Sequence, residues 1–353
     1  MEQLDRNLAL ELVRVTEAAA LAAARWMGRG DKVKADQAAV DAMRLLLDSV
    51  QIDGIIAIGE GEKDQAPMLY NGEHVGALAG KTNHAQAAPF DQVPRVDIAV
   101  DPIDGTRLLS LGLPNALSVV ALAERGSMFA PGHLVYMDKL AVGPTARGVI
   151  DIKARVADNL NAIARAKGKT VNDLVVVVLD RPRNSNYVTD IRACGARLKL
   201  ISDGDVAAAL STALEGTGVD VLMGIGGSPE AVTSACAMKC LGGEMQCRLW
   251  PRDESEKRFA REMGYTLEAP LLNDDLVRSD NVFFSVTGIT DGELVKGVHF
   301  VGGGATTESL VMRSRSGTVR RVQSKHRWEK LMRYSQIEYS GQGVGGRDQG
   351  GGA

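Results

Sequence analysis

Apolar residues recur at helical spacing from about Leu4 to Met27, with Leu8, Leu12, Val15, Ala19 and Leu21 among them, and the pattern stops at Gly28-Arg29-Gly30. A second helix is predicted from about Gln37 to Val50, which puts Asp36 at or just before a helix N-terminus. The period then shortens. Ile52–Ile58, Val96–Val100, Ala116–Ala123 and Gly132–Val142 are apolar or β-branched runs of strand length, and the stretch from Val156 to Lys169 reads as an amphipathic helix. From Val171 onward strands and helices alternate. Val175–Leu179, Leu198–Ile201 and Val219–Ile225 are the strands, with helices running to about Leu214 and through Leu241. Val282–Val286 and a hairpin of Leu310–Arg313 with Thr318–Val322 complete the pattern. The chain thus divides into an N-terminal half, 1–170, a C-terminal half, 171–335, and a glycine-rich tail, 336–353, expected to be disordered.

The polar residues gather where the strands end. Val96–Val100 runs into Asp101-Pro102-Ile103-Asp104-Gly105-Thr106, where Pro102 and Gly105 are expected to stop the strand and hold two carboxylates on a turn. Asp-Pro and Asp-Gly are also ordinary turn dipeptides. Ile52–Ile58 runs into Gly59-Glu60-Gly61-Glu62, and the strand at Val175–Leu179 into Asp180-Arg181-Pro182-Arg183. Asp203-Gly204-Asp205 follows the next strand, and Gly226-Gly227-Ser228-Pro229-Glu230 the one after, with Ser228 read as a helix cap and Glu230 in the first helical turn. Taken singly, Asp36 and Glu230 are explained by capping, Lys32 by solvation, and Glu60 and Glu62 by an acidic turn. Taken together, carboxylates suit a hard divalent cation and Lys32, Arg181 and Arg183 suit phosphate, a combination that points to phosphoryl transfer to water.

Composition adds exclusions. A chain of 353 residues with 45% hydrophobic and 24% charged residues and a net charge of -3 gives no electrostatic argument for nucleic acid or an anionic membrane. No apolar run reaches membrane-span length, and the acidic N-terminus is unlike a secretory signal, so a cytoplasmic protein is expected. Cys194, Cys236, Cys240 and Cys247 include no C-x-x-C pair, and Cys236 and Cys240 are expected to be buried, reduced thiols. The cations Arg313, Arg315, Arg320, Arg321, Lys325 and Arg327 read as a solvated or oligomer-facing surface. Two glycine motifs invite a nucleotide-binding reading. Gly76 to Thr82 lacks one residue of the P-loop spacing, and Pro229 stands where the last glycine of the dinucleotide fingerprint belongs.

An acidic-x-acidic pair after a strand, followed by D-P-[IL]-[DE]-G-T, resembles the signature of the lithium-sensitive, metal-dependent sugar and inositol phosphatases. Within that superfamily the chain is most similar to the class II fructose-1,6-bisphosphatases of bacteria, including cyanobacterial enzymes that also act on sedoheptulose 1,7-bisphosphate. The stretches RVTEAAALAAARWMGRGDKVKAD, IGEGEKDQAPMLY, VDIAVDPIDGT, YMDKL, DRPR, ISDGDVAAAL, MGIGGSPE and SDNVFFSVTGIT carry the likeness. The resemblance implies an α/β (α+β) fold, a layered α/β/α/β/α sandwich with the site between two halves. It implies Mg²⁺ or Mn²⁺ on Asp36, Glu60, Asp101, Asp104 and Glu230. It further implies a sugar bisphosphate held by Asp104, Gly105, Thr106, Tyr136, Arg181, Pro182, Arg183, Asp203, Gly204, Asp205 and Gly227, with Lys32, Glu60, Glu62 and Thr106 in catalysis. The expected reaction is removal of the 1-phosphate of fructose 1,6-bisphosphate by a homo-oligomer, a dimer or tetramer. Some family members carry Glu in place of Asp104 and Lys in place of Arg181. An inositol monophosphatase and, in another class, a nucleotide-binding regulatory module are the competing readings.

Overall fold

The computed structural model describes residues 8–59, 68–79 and 93–334. In chain order the strands are β1 (Asp53–Ile58), β2 (His74–Val75), β3 (Arg95–Asp104), β4 (Leu117–Glu124), β5 (Tyr136–Val142), β6 (Val175–Leu179), β7 (Arg197–Ile201), β8 (Val221–Gly227), β9 (Glu244–Leu249), β10 (Leu271–Leu272), β11 (Phe283–Gly288), β12 (His299–Val301), β13 (Gly304–Arg313) and β14 (Thr318–Arg327). The helices are α1 (Ala9–Ala24), α2 (Lys32–Leu47), α3 (Thr106–Leu111), α4 (Val156–Ala166), α5 (Ser185–Ala193), α6 (Asp205–Ala213), α7 (Ser228–Leu241), α8 (Glu254–Glu262), α9 (Asn273–Leu276) and α10 (Trp328–Tyr334).

Two mixed sheets result. The first has the order β12-β13-β11-β4-β3-β1-β2, with β14 on the other edge of β13; the second is β10-β9-β5-β8-β6-β7. Helices α1 and α2 cover the outer face of the first sheet in one apolar cluster, which includes Leu12, Val15, Val40, Met43, Ile98, Val100 and Val120. Helices α6 and α7 lie between the sheets in a second cluster with Ala99, Val119, Met137 and Leu222. Helices α4 and α5 cover the far face of the second sheet through Leu160, Ile163 and Ile191 against Leu140, Val176 and Val178. The five layers run helix, sheet, helix, sheet, helix, and this is the α/β sandwich expected from the sequence.

Helix α7 is the middle of the stack, and its composition fits that place. Ala231 to Met238 is buried without a break, as a helix covered on every side must be. Cys236 and Cys240 are buried here and Cys247 on β9, all three as free thiols. Loss of solvation raises each of them; Cys240 and Cys247 are pushed up to about 12, so they stay protonated and behave as small apolar groups.

Three local expectations need correction. Helix α2 begins at Lys32 rather than near Gln37, because Asp31 caps it: its Oδ1 accepts from the Lys34 amide at 3.1 Å. Asp36 therefore lies more than one turn inside the helix and caps nothing. The cap of α7 is Gly227, with Ser228 already helical. In the basic stretch Arg313 is buried, its guanidinium 4.7 Å above the Phe283 ring and bonded to Asn281 at 2.9 and 3.0 Å.

A buried line of hydroxyls joins α1 to the first sheet. Thr287 donates to Thr16 at 2.7 Å and shares a 2.7 Å bond with Ser309, while Thr16 and Ser285 are 3.0 Å apart. All four residues are fully buried. Hydroxyls so placed lose stability when a partner is removed, because water cannot reach the one left over. We expect Thr287→Val to lower unfolding stability by about 1–3 kcal/mol, seen as a lower urea midpoint at unchanged slope.

Candidate active site

Strand β3 continues through Pro102 to Asp104, past the point where the sequence predicted a stop. Its register against β4 moves from Asp101–Val119 to Asp104–Leu117, so three steps on β3 match two on β4. Such a bulge tolerates a proline and resets the alternation of side chains. Before it, Ile98 and Val100 face α1 and α2, while Ala99 faces the central layer, and Asp101 shares the parity of Ala99. After it, Ile103 again faces α1 and α2, which leaves Asp104 toward the central layer. Without the extra residue, positions three apart would point to opposite faces. The chain then turns at Gly105, whose φ of +94° suits glycine, and enters α3. Thr106 opens that helix and donates to Asp36 Oδ1 at 3.1 Å, tying α3 to α2.

Opposite Asp104 stand the first turns of α6 and α7. Strand β7 ends before Asp203-Gly204-Asp205, and Gly204, at φ +85°, swings the chain into α6 so that the Ala207 amide donates to Asp104 Oδ2 at 3.4 Å. Asp205 is buried and takes Lys139 Nζ, from β5, at 2.6 Å. Strand β8 ends at Gly226-Gly227, where a side chain would push a carboxylate aside: a Cβ on Gly226 would overlap Asp205, and one on Gly227 would overlap the Glu230 carboxylate. Burial first, then the charges of Asp205 and Glu230, push the Asp104 carboxyl well above the ordinary carboxylate range; the Ala207 amide and Lys139 draw it partly back.

A cationic wall adjoins this acidic floor. Pro182–Asn184 forms a single 3-10 turn. Arg183 lies 4.2 Å over the ring of Tyr136 and donates through Nε to the Ile225 carbonyl at 3.1 Å. Arg181 pairs with Asp203 at 2.9 Å. The turn is anchored by Asn184, fully buried, which accepts from the Ile225 amide at 2.7 Å and donates to Leu179 and Ile225 carbonyls at 2.9 and 3.2 Å. Trp250 meets Tyr136 edge-on, with ring centroids 6.1 Å apart, and Arg252 lies 6.0 Å from the same ring.

Buried carboxylates beside guanidinium groups are the parts of a phosphoester hydrolase, and comparison with known proteins agrees. The family model for bacterial fructose-1,6-bisphosphatase, glpX-encoded, matches residues 6–326. Fructose-1,6-bisphosphatase 1 class 2 of Escherichia coli strain K12 is 46% identical over 334 residues, 91% of this chain and 95% of the relative. A class 2 fructose-1,6-bisphosphatase of Shigella flexneri matches to the same extent. The chain belongs to this family. It is accordingly an enzyme, a phosphatase of fructose 1,6-bisphosphate, and the family is generally metal-dependent. No helix among the described residues is long and apolar enough to cross a membrane.

The structure brings together Asp104, Asp205, Glu230, Gly204 and Gly227 at the meeting of β3, α6 and α7, and Thr106 with Asp36 at the start of α3. It brings Tyr136 to Arg183 and Arg181 to Asp203 at the second sheet. Lys32 is exposed in the first turn of α2. Glu60 and Glu62 lie outside the described residues, as does most of the Gly80–Pro94 loop. Among the described residues no three His, Cys, Asp or Glu side chains are already arranged as a metal cage. The donor chemistry nevertheless fits a hard cation: Glu230 Oε2 is buried with no hydrogen-bond partner among the described residues, close to the charge-crowded Asp104.

Sequence reasoning assigned no role to Lys139, Asn184, Trp250 or Arg252. A lysine inside the apolar run Leu134–Val142 was a signal; Asn184 carried none. Because Gly227 leaves room for Glu230, we expect Gly227→Ala to lower kcat/KM by about 100-fold with an unchanged far-UV circular dichroism spectrum. Parental activity would mean that this packing does not place Glu230.

Proposed function

We propose that the chain hydrolyses the 1-phosphate of fructose 1,6-bisphosphate with Mg²⁺ or Mn²⁺ held by Asp36, Glu60, Asp101, Asp104 and Glu230. The observation that carries the reading is the crowding of Asp104, Asp205 and Glu230, beside Lys139. Like charges in a buried place repel, and a divalent cation among them removes the repulsion. When bound, the cations supply Lewis acidity toward the phosphoryl oxygens and acidify a water.

The protein's own groups do the rest. Thr106 Oγ1, its proton directed to Asp36 at 3.1 Å, keeps lone pairs free to accept from the attacking water, which Glu60 or Glu62 helps to orient. Arg181, Arg183 and Lys32 neutralise phosphate charge, and the Tyr136 face keeps the Arg183 guanidinium in one plane. Asp203 and Asp205 accept from sugar hydroxyls, since a carboxylate has no favourable contact with phosphate. Gly105, Pro182, Gly204 and Gly227 contribute backbone shape and amides. The setting is cytoplasmic, in keeping with four unpaired cysteines, and the assembly is a dimer or tetramer.

Phosphate release by the chelator-stripped protein, with Mn²⁺ or Mg²⁺ restored, tests the reading on fructose 1,6-bisphosphate, sedoheptulose 1,7-bisphosphate and inositol 1-phosphate. Metal-dependent turnover of the six-carbon bisphosphate is expected; release from inositol 1-phosphate alone, or release without metal, overturns it. Glu230→Gln should raise the Mn²⁺ concentration for half-maximal rate by about tenfold or more, read from metal titration of initial rates. Thr106→Ala should lower kcat by about 100-fold in steady-state assays.

A further inference from the structure

Lys139 is among the largest fully buried side chains of the protein, and it carries a charge. It projects from β5 on the face that Met137 and Ala141 use to enter the apolar central core. Its ammonium lies 2.6 Å from Asp205 Oδ2, the two side chains being 2% and 7% exposed. The backbone of β8 closes over the pair, since a Cβ on Gly226 would come within 3.0 Å of Nζ and overlap Asp205 Oδ2. Stability does not call for such a pair: apolar residues of the same volume hold a core as well or better, and Met137 and Ala141 already join β5 to this layer. A buried ion pair does hold a carboxylate in one geometry. Asp205 opens α6 with its side chain buried against Lys139, and a site that reads hydroxyl positions on a sugar needs its acceptor within a few tenths of an ångström.

We infer that Lys139 is a positioning residue for sugar recognition, pinning Oδ2 of Asp205 so that the carboxylate meets a fructose hydroxyl in one rotamer. The inference rests on the reading of Asp205 as a sugar-binding group. It also assigns Gly226 a task, that of admitting the pair beneath β8.

Lys139→Met, Asp205→Asn and the double variant, each assayed on fructose 1,6-bisphosphate with saturating Mn²⁺, test it. Loss of an oriented acceptor is expected to raise KM about tenfold or more in both single variants, while kcat changes less than about threefold. A general disturbance of the fold would lower kcat and the unfolding midpoint instead. The double variant should have the KM of Asp205→Asn, because Lys139 acts only through Asp205. Parental KM in Asp205→Asn overturns the sugar-binding reading and the inference with it. Parental KM in Lys139→Met, beside a raised value in Asp205→Asn, overturns the inference alone. Should Lys139→Met not fold, Lys139→Gln, which keeps a polar group but not the ammonium or its reach, takes its place: a raised KM with kcat changed less than about threefold supports the inference, and parental KM overturns it.

Discussion

Mutual repulsion of carboxylates in a place closed to water is the constraint on which this structure turns. Asp104, Asp205 and Glu230 come from three separate elements, β3, α6 and α7, and each would be more comfortable in solvent. They are held together because each is backed by something that cannot yield. Asp104 sits at the end of β3, paired there with Leu117 of β4. Asp205 and Glu230 stand in the first turns of helices, where the helix dipole favours negative charge. On the proposed function, the free energy lost to repulsion would be returned when cation and substrate arrive.

The five-layer sandwich is what keeps those supports still. Helix α7 is buried on every side between the two sheets, so its first turn cannot shift without disturbing both. The hydroxyl line from Thr16 through Thr287 to Ser309 ties the outer helix layer to the first sheet without opening a path for water. On the second sheet Asn184 binds the Pro182–Asn184 turn to β8, and through Ile225 the position of Arg183 is coupled to the strand that leads to Glu230. Cationic wall and acidic floor are thereby joined through β8. The buried cysteines serve as packing groups, burial holding their thiols protonated.

Much of this was legible along the chain because it is local. The passages from strand to helix at Asp203–Asp205 and Gly226–Glu230 carry their glycines, prolines and acids in consecutive positions, and local sequence chooses such turns, whereas the turn expected at Asp101–Asp104 is a continuation of β3. The alternation of strands and helices after Val171 also announced its elements. The sequence put Asp36 at the start of α2, and only the backbone path awards the cap to Asp31 and leaves Asp36 inside the helix to meet Thr106.

By itself, then, the sequence determined most of the strands and helices and which acids and glycines follow each of them, since these depend on neighbours in the chain. Tertiary structure alone decided which parts meet. Whether Asp104 points inward depends on one extra residue in the register of β3 against β4. Lys139 finds Asp205 at a separation of 66 residues, and Asp36 finds Thr106 at 70. Those pairings are settled by how sheets and helices close around a shared core, through contacts between segments whose side chains have no influence on one another until the chain is folded.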